Sequence, residues 1–296
     1  MAIVLKSSHR WRVWLTHLAM LAFIALTVWP FLMILSISLR PGNFAGGSLI
    51  PSSISFEHWK LALGMSYVDA DGQLVRPPFP VLLWIWNSLK VSFMSATVSL
   101  LLSVTSAYAF ARMRFRGRDL TLNALLLLQM FPSVLALVAI YALFDRIGEF
   151  VPALGLNSHW SLALAYTGGV AQYIWLIKGY YDSVPMELEE AAAVDGATPF
   201  QAFVKVLLPI AGPIFVVVFV LAFLGAMIEY PVASVLMHDE KNLTLAIGSR
   251  LFLFNQRYLW GDFAATAILA GLPLTLLFLV TQKWLVSGLT SGAVKG

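Results

Sequence analysis

The sequence predicts an all-α polytopic membrane protein with six transmembrane helices, and three observations predict it. Hydrophobic residues make up 59% of the 296, and charged residues only 11%. A soluble globular chain carries roughly 25% charged residues, so the balance here belongs to a chain that faces lipid many times. The mean hydropathy of +0.82 agrees. Second, the apolar residues fall into runs long enough to cross about 30 Å of hydrocarbon as helix. Third, the positive charges cluster beside those runs rather than across a face, as orientation signals do. The net charge of +4 therefore points to lipid headgroups and not to nucleic acid. Cysteine is absent, which excludes disulfides and thiolate metal or redox sites.

In chain order, residues 1–14 form a cytoplasmic N-terminus with Lys6, Arg10 and Arg12, followed by a first span over residues 15–37. That run is longer than a signal-peptide core and has no small-residue cleavage site, so it reads as an uncleaved helix. Residues 38–86 form a periplasmic loop rich in Pro, Gly and Ser, with a short helix expected near Phe56 to Leu63 and Trp84 and Trp86 as an interfacial belt. The second span, residues 87–111, places Ser88, Ser92, Ser95, Ser99, Ser103 and Ser106 on one helical face, suited to close helix packing or to a polar path. Arg112, Arg114, Arg116 and Arg118 crowd the loop 112–119 and mark it cytoplasmic. The third span covers residues 120–144, with Gln129 and Pro132 inside it. An outer loop (145–160) and a fourth span (161–180) follow, the latter with Gly168 and Gly169 as a close-packing point. A fifth span (209–230), an outer loop (231–261), a sixth span (262–285) and a small Gly- and Ser-containing tail (286–296) complete the chain. Six crossings put both termini on the cytoplasmic side of the membrane.

The cytoplasmic stretch 181–208 departs from this pattern. Pro185 is expected to open a helix, with Glu187, Glu189 and Glu190 at its dipole-favoured end and Ala191, Ala192 and Ala193 leaving one side flat. Asp195-Gly196 closes it with a left-handed cap, and Thr198, Pro199 and Gln201 have the spacing of a capping box for a second helix. An elbow of this kind suits docking by another protein.

Chemistry-bearing motifs are few. There is no Gly-rich phosphate loop ending in Lys-Ser or Lys-Thr, no His-Glu-x-x-His, and the five histidines are scattered. No span carries a paired acid–base constellation; Glu229 comes closest, lies near the outer end of its span and reads as an interfacial carboxylate. No catalytic residue, cofactor or metal ligand is assigned.

Glu190-Ala191-Ala192, Gly196 and Leu208-Pro209 resemble the EAA loop of permease subunits of ATP-binding-cassette importers. Asn87-Ser88 through Tyr108 to Arg112, with Phe115 and Gly117, is similar to the carbohydrate-uptake branch of that family. NFAGGSLIP (43–51), WKLALG (59–64), YALFDRIGE (141–149), YLWGDFA (258–264) and the last five residues resemble the smaller-permease group of maltose/maltodextrin importers. The resemblance implies a type I importer permease fold, its transmembrane domain spanning about 85–285 with cytoplasmic coupling helices, and no ATP hydrolysis by this chain. It implies as partners a second, larger permease, two ATPase subunits, a periplasmic maltose-binding protein and the lipid bilayer. The implied ATPase-coupling residues are Glu190, Ala191, Ala192, Gly196, Leu208 and Pro209. Leu253, Phe254, Asn255, Gln256, Arg257 and Tyr258 are implied to meet the binding protein, and Ser291, Gly292, Ala293 and Val294 to reach the ATPase as an extended tail. No sugar ligand is assigned. A permease for another sugar or polyol stays open from the residues alone, as does a non-transporting membrane scaffold.

Overall fold

The computed structural model describes residues 7–69, 71–254 and 257–293, and its side chains over most of that range. It falls into two units, residues 1–80 with 249–270, and residues 81–248 with 271–296.

The larger unit is built around α3 (Val81–Arg112), a 32-residue helix that starts six residues before the expected second span. Its serine face is its buried face: Ser88, Ser92, Ser95, Ser99 and Ser103 are all at most 2% exposed. Small hydroxyl residues let neighbouring helices approach closely and return their own hydrogen bonds locally. Ser103 Oγ donates to the Ser99 carbonyl at 2.6 Å, and Ser88 Oγ accepts from the Leu245 N–H at 2.8 Å. Packing explains most of this face. Around α3 stand α4 (Arg118–Gln129), α5 (Leu137–Phe150), α6 (His159–Ala165), α7 (Val170–Ser183) and α11 (Gly212–Ile228). Ile177, Tyr181, Leu207, Ala211, Val217 and Val218 form the centre of the apolar core between them.

Three of the expected spans are interrupted. The third is two helices, α4 and α5, separated at residues 130–136 where Pro132 cannot donate to a helical carbonyl. The fourth is α6 and α7 joined by a 3-10 turn at Tyr166–Gly169. The fifth does not begin at Pro209: helical Pro199–Ile210 and α11 meet at Ala211 with a bend of 74°. Among the described residues three helices are long and apolar enough to cross a membrane unbroken, and counting each of the two bent pairs as one span brings the number to five. The expected count of six includes the α6–α7 stack as well.

On the rim of this unit lie α12 (Pro231–Leu236) and α13 (Leu245–Gly248). Trp84 is fully buried there, its Nε1 donating to the Glu240 carbonyl at 2.8 Å. Gly248 lies against its ring, and a Cβ at that position would come within 2.1 Å of Trp84 Cε3. Only glycine fits.

The smaller unit contains α1 (Ser7–Ser38), α2 (Glu57–Ala62), a two-residue hairpin of β1 (Tyr67–Val68) and β2 (Leu74–Val75), and the start of α14 (Trp260–Ala293). The expected helix near Phe56 to Leu63 is α2. Segment 40–48 is stitched by polar contacts. The Arg40 guanidinium donates to the Gly46 carbonyl at 2.6 Å, to Ser36 Oγ at 3.0 Å and to the Ser48 carbonyl. Asn43 Oδ1 accepts from the backbone N–H groups of Gly261 and Asp262, which satisfies two orphan donors at the start of α14.

The tail expectation needs correction. Residues 286–293 continue α14 to Ala293, so Ser291, Gly292 and Ala293 are helical and not extended; Val294 lies outside the described residues. A helix already nucleated over a long apolar run extends through weak formers at small cost per residue.

Candidate coupling elbow and membrane cavity

The stretch after α7 folds as two short helical limbs with a tight corner. The first limb, α8 (Glu187–Val194), starts two residues later than Pro185, with Glu187, Glu189 and Glu190 in its first turn. Its end is a Schellman closure: the Ala197 N–H donates to the Ala192 carbonyl at 2.9 Å and the Gly196 N–H to the Ala193 carbonyl at 3.0 Å. Gly196 sits at φ +86°, where a side-chain-bearing residue is strained. Thr198 and Gln201 then form the reciprocal capping box, with Pro199 as the first residue of α9 (Pro199–Ala202). A π-helical turn, Phe203–Leu207, and α10 (Leu208–Ile210) complete the second limb.

The limbs differ in what they touch. The second is rooted in the apolar core through Ala202, Phe203 and Leu207, and the Phe203 ring lies 4.3 Å from that of Tyr108. The first has no buried residue. Its link to the rest is Glu189, whose Oε1 accepts from Arg112 Nε at 2.6 Å, with both side chains about nine-tenths buried. Arg112 Nη2 also donates to the Val184 carbonyl at 3.0 Å. Arg112 is therefore a structural tie and not solely a topology signal. Glu190, Ala191 and Ala193 face solvent and Ala192 is half-buried. Beside them stand exposed apolar side chains that an acidic loop does not explain: Val194 is 89% and Phe200 72% exposed, with Met186 and Leu188 also outside. Leu208 is half-buried and Pro209 exposed on the second limb.

The structure thus places Glu190, Ala191 and Ala192 in α8 and Gly196 in the turn that closes it, with Ala192 the one half-buried among them. Sequence reading missed the Arg112–Glu189 pair, because a separation of 77 residues carries no periodic signal. The exposed Val194 and Phe200 were visible in principle, as large apolar residues inside a charged cytoplasmic segment.

Elsewhere, Leu253 to Tyr258 form a hairpin of β3 (Leu253–Phe254) and β4 (Arg257–Tyr258), with Asn255 and Gln256 outside the described residues. Phe254 is 67% exposed, and the Tyr258 ring stacks on Trp260 at 6.0 Å. A cavity of about 520 Å³ opens among α3, α4, α5, α7 and α11. Among the described residues, no group of three His, Cys, Asp or Glu side chains is placed to hold a metal ion.

Beyond this geometry, residues 99–291 match the family described as "Binding-protein-dependent transport system inner membrane component". The chain is 59% identical, over its full length and that of the relative, to the maltose/maltodextrin transport system permease protein MalG of Photorhabdus laumondii. It is 56% identical to the protein of the same description from Escherichia coli K12, again with both chains fully covered. Among solved structures, a chain of a bacterial ABC transporter involved in the import of the acidic polysaccharide alginate superposes with a TM-score of 0.77. That match has 20% identity and covers 96% of this chain and 100% of that one. A chain of the MetNI methionine ABC transporter gives 0.55 at 16% identity, covering 70% and 95%.

Proposed function

Since the chain belongs to the binding-protein-dependent transport system inner membrane components, we propose that it is the smaller permease subunit of an ATP-driven importer of maltose and maltodextrins. It works beside a larger permease and two ATPase subunits in a bacterial inner membrane, receiving sugar from a periplasmic binding protein. Both termini and the elbow face the cytoplasm, in keeping with the arginines of loop 112–119. Full-length identity of 59% to a maltose/maltodextrin permease supports the substrate class.

One observation carries the coupling mechanism: the elbow has an exposed, partly apolar first limb and a second limb rooted in the core through Ala202, Phe203 and Leu207. The first limb docks in a cleft of an ATPase subunit together with the exposed Phe200 at the start of the second, so that Val194 and Phe200 leave water and Glu190 meets a basic group. Motion of the ATPase is delivered as a push on α8. Gly196 and the capping box hold the corner angle, so the push reaches Phe203 and Leu207 without bending the turn. From there it passes across Ala211 to α11, which packs along α3, and displaced helices open the path on alternate sides. The hairpin at Leu253 to Tyr258 meets the binding protein, and the end of α14 near Ser291, Gly292, Ala293 and Val294 reaches the ATPase.

The test is reconstitution of the chain with its presumed larger permease, ATPase and binding protein in liposomes. Uptake of labelled maltotriose that requires both ATP and the binding protein supports the reading. Uptake that needs neither, or no uptake of any maltodextrin, refutes it.

A further inference from the structure

We propose that His58, Asn43 and Asp262 form a clamp at the foot of the hairpin Leu253–Tyr258, and that the hairpin docks its partner best while His58 carries a proton on each nitrogen. The inference rests on the importer reading above, in which the hairpin meets a periplasmic binding protein, and adds the positioning residues that set its pose.

The hairpin cannot orient itself. Each strand is two residues long, and an isolated two-stranded ribbon is marginal in water even when longer. Phe254 and Tyr258 are both exposed, so burial of their side chains does not fix it. Its pose is set at its foot. The Leu259 N–H donates to the Phe252 carbonyl at 2.8 Å and closes the ladder. Phe252 is buried against Phe79, ring centroids 4.9 Å apart, and Tyr258 stacks on Trp260. Gly261 and Asp262 follow at once, in the first turn of α14.

Two side chains from segment 39–63 grip that turn. Asn43 Oδ1 accepts from the Gly261 and Asp262 N–H groups at 3.0 and 3.2 Å, and its Nδ2 donates to Asp262 Oδ2 at 3.3 Å. The His58 ring lies so close over Gly261 that a Cβ there would collide with Nε2. His58 Nδ1 meets Asp262 Oδ1 at 2.6 Å, and Nε2 meets the carbonyl of Gly42, the neighbour of Asn43, at 3.1 Å. One buried imidazole thus ties α14 to the loop that caps it. Only the imidazolium donates from both nitrogens; the neutral ring has a lone pair on one. On losing a proton the ring keeps the charge-assisted bond to Asp262 and turns that lone pair on the Gly42 carbonyl. Gly42 and Asn43 then loosen together, and the foot of the hairpin loses its cap.

The charges around the ring hold the clamp closed at low pH. Glu57, on the same helix, has Oε1 3.5 Å from His58 Nε2 and accepts from the Gly42 N–H at 2.6 Å; Asp262 faces the ring from α14. Tyr67 on β1 feels both carboxylates, and the Arg40 guanidinium is turned to Ser36, Gly46 and Ser48. Burial opposes the His58 charge, but Asp262, Glu57 and the Gly42 carbonyl outweigh it and raise the pKa above 6.5. The clamp is fully closed below pH 6.5 and opens as pH rises through the folded value.

The chain has no cysteine, so a spin label on Phe254→Cys reports the hairpin alone once cysteines of the partner subunits are replaced. The assembled transporter is placed in nanodiscs without binding protein, at about pH 5.5 and about pH 8.5, either side of the window. The label should be immobilised at the lower pH and mobile at the higher. In His58→Gln it should be mobile at both. Asn43→Ala, which leaves the ring in place, should also be mobile at both, and decides the matter if His58→Gln does not assemble. In a second arm, maltose-loaded binding protein is titrated against ATP hydrolysis at the same two pH values. Its half-saturating concentration should rise about fivefold with pH in the wild type, as loss of roughly one hydrogen bond's net contribution gives, and less than twofold in His58→Gln. A wild-type pH response of the label in both variants would overturn the clamp. A pH-responsive label with a half-saturating concentration that ignores pH would overturn its role in docking. No stimulation of the wild type by binding protein at either pH would instead refute the importer reading, and the docking half of this inference with it.

Discussion

The elbow at residues 185–210 and the polar segment at residues 39–63 are both charged, Pro- and Gly-containing interruptions between apolar helices, yet they solve opposite problems. Segment 39–63 closes upon its own unit. Arg40 is buried among Ser36, Gly46 and Ser48; the Gly42 N–H donates to Glu57 at 2.6 Å; His58 is buried between Asp262 and the Gly42 carbonyl. Its polar groups find partners within the chain, as buried polar groups must. The elbow instead leaves most of its first limb uncovered apart from Glu189 and Ala192, with Val194, Met186 and Leu188 exposed on or beside it. The difference teaches that one region satisfies its polar groups within its own unit, whereas the other keeps large apolar side chains exposed, as the proposed docking on an ATPase subunit requires.

The largest expected effect breaks the elbow's corner. Gly196→Val places a β-branched residue at φ +86°, so the second limb leaves the first at a wrong angle. ATP-dependent uptake should fall more than tenfold with normal membrane insertion, read by transport assay beside expression level. Next comes the tie beneath it. Arg112→Ala leaves Glu189 buried without its partner, at a cost of about 3 kcal/mol. Coupling should weaken severely, and Arg112→Met with Glu189→Leu should recover part of it in a double-mutant cycle. Recovery of nothing would mean the pair does more than hold α8 in place.

The self-closed region offers a sharper, smaller effect. Both His58 nitrogens face acceptors, Asp262 Oδ1 at 2.6 Å and the Gly42 carbonyl at 3.1 Å, an arrangement that favours the ring with a proton on each nitrogen. Burial opposes that charge, but the Asp262 hydrogen bond and charge, Glu57 and the Gly42 carbonyl outweigh it, and the pKa is raised above 6.5. A raised histidine pKa contributes stability that is fully present below 6.5 and is lost as pH rises through the folded value. Thermal scans should show Tm falling over that window, and His58→Gln should flatten the slope. The smallest effect is Glu190→Ala: a solvent-exposed charge leaves stability within about 0.5 kcal/mol. ATPase association, followed by co-purification, should drop less than threefold if the apolar contacts dominate docking.

How much of this was legible in the sequence varies with the range of the interaction. The elbow's turn chemistry was readable in detail, because Gly196, Thr198, Pro199 and Gln201 act through neighbours within a few residues. Apolar runs gave the long helices α1, α3 and α14 for the same reason. The interruptions at Tyr166–Gly169 and Ala211 were not readable, since helices break in lipid where neighbours accept the freed groups. The pairs Arg112–Glu189 and His58–Asp262 join residues 77 and 204 positions apart, and only the tertiary fold makes them partners. Asn43, seen first as part of a family-like string, acquires its reason only when α14 starts above it.

The proposed docking of the elbow is tested most directly by placing a photoreactive amino acid at Val194 in the assembled, transporting complex. The account predicts an adduct with the ATPase subunit that disappears when Gly196→Val is added. Robust uptake with no adduct to the ATPase in any nucleotide state would contradict it.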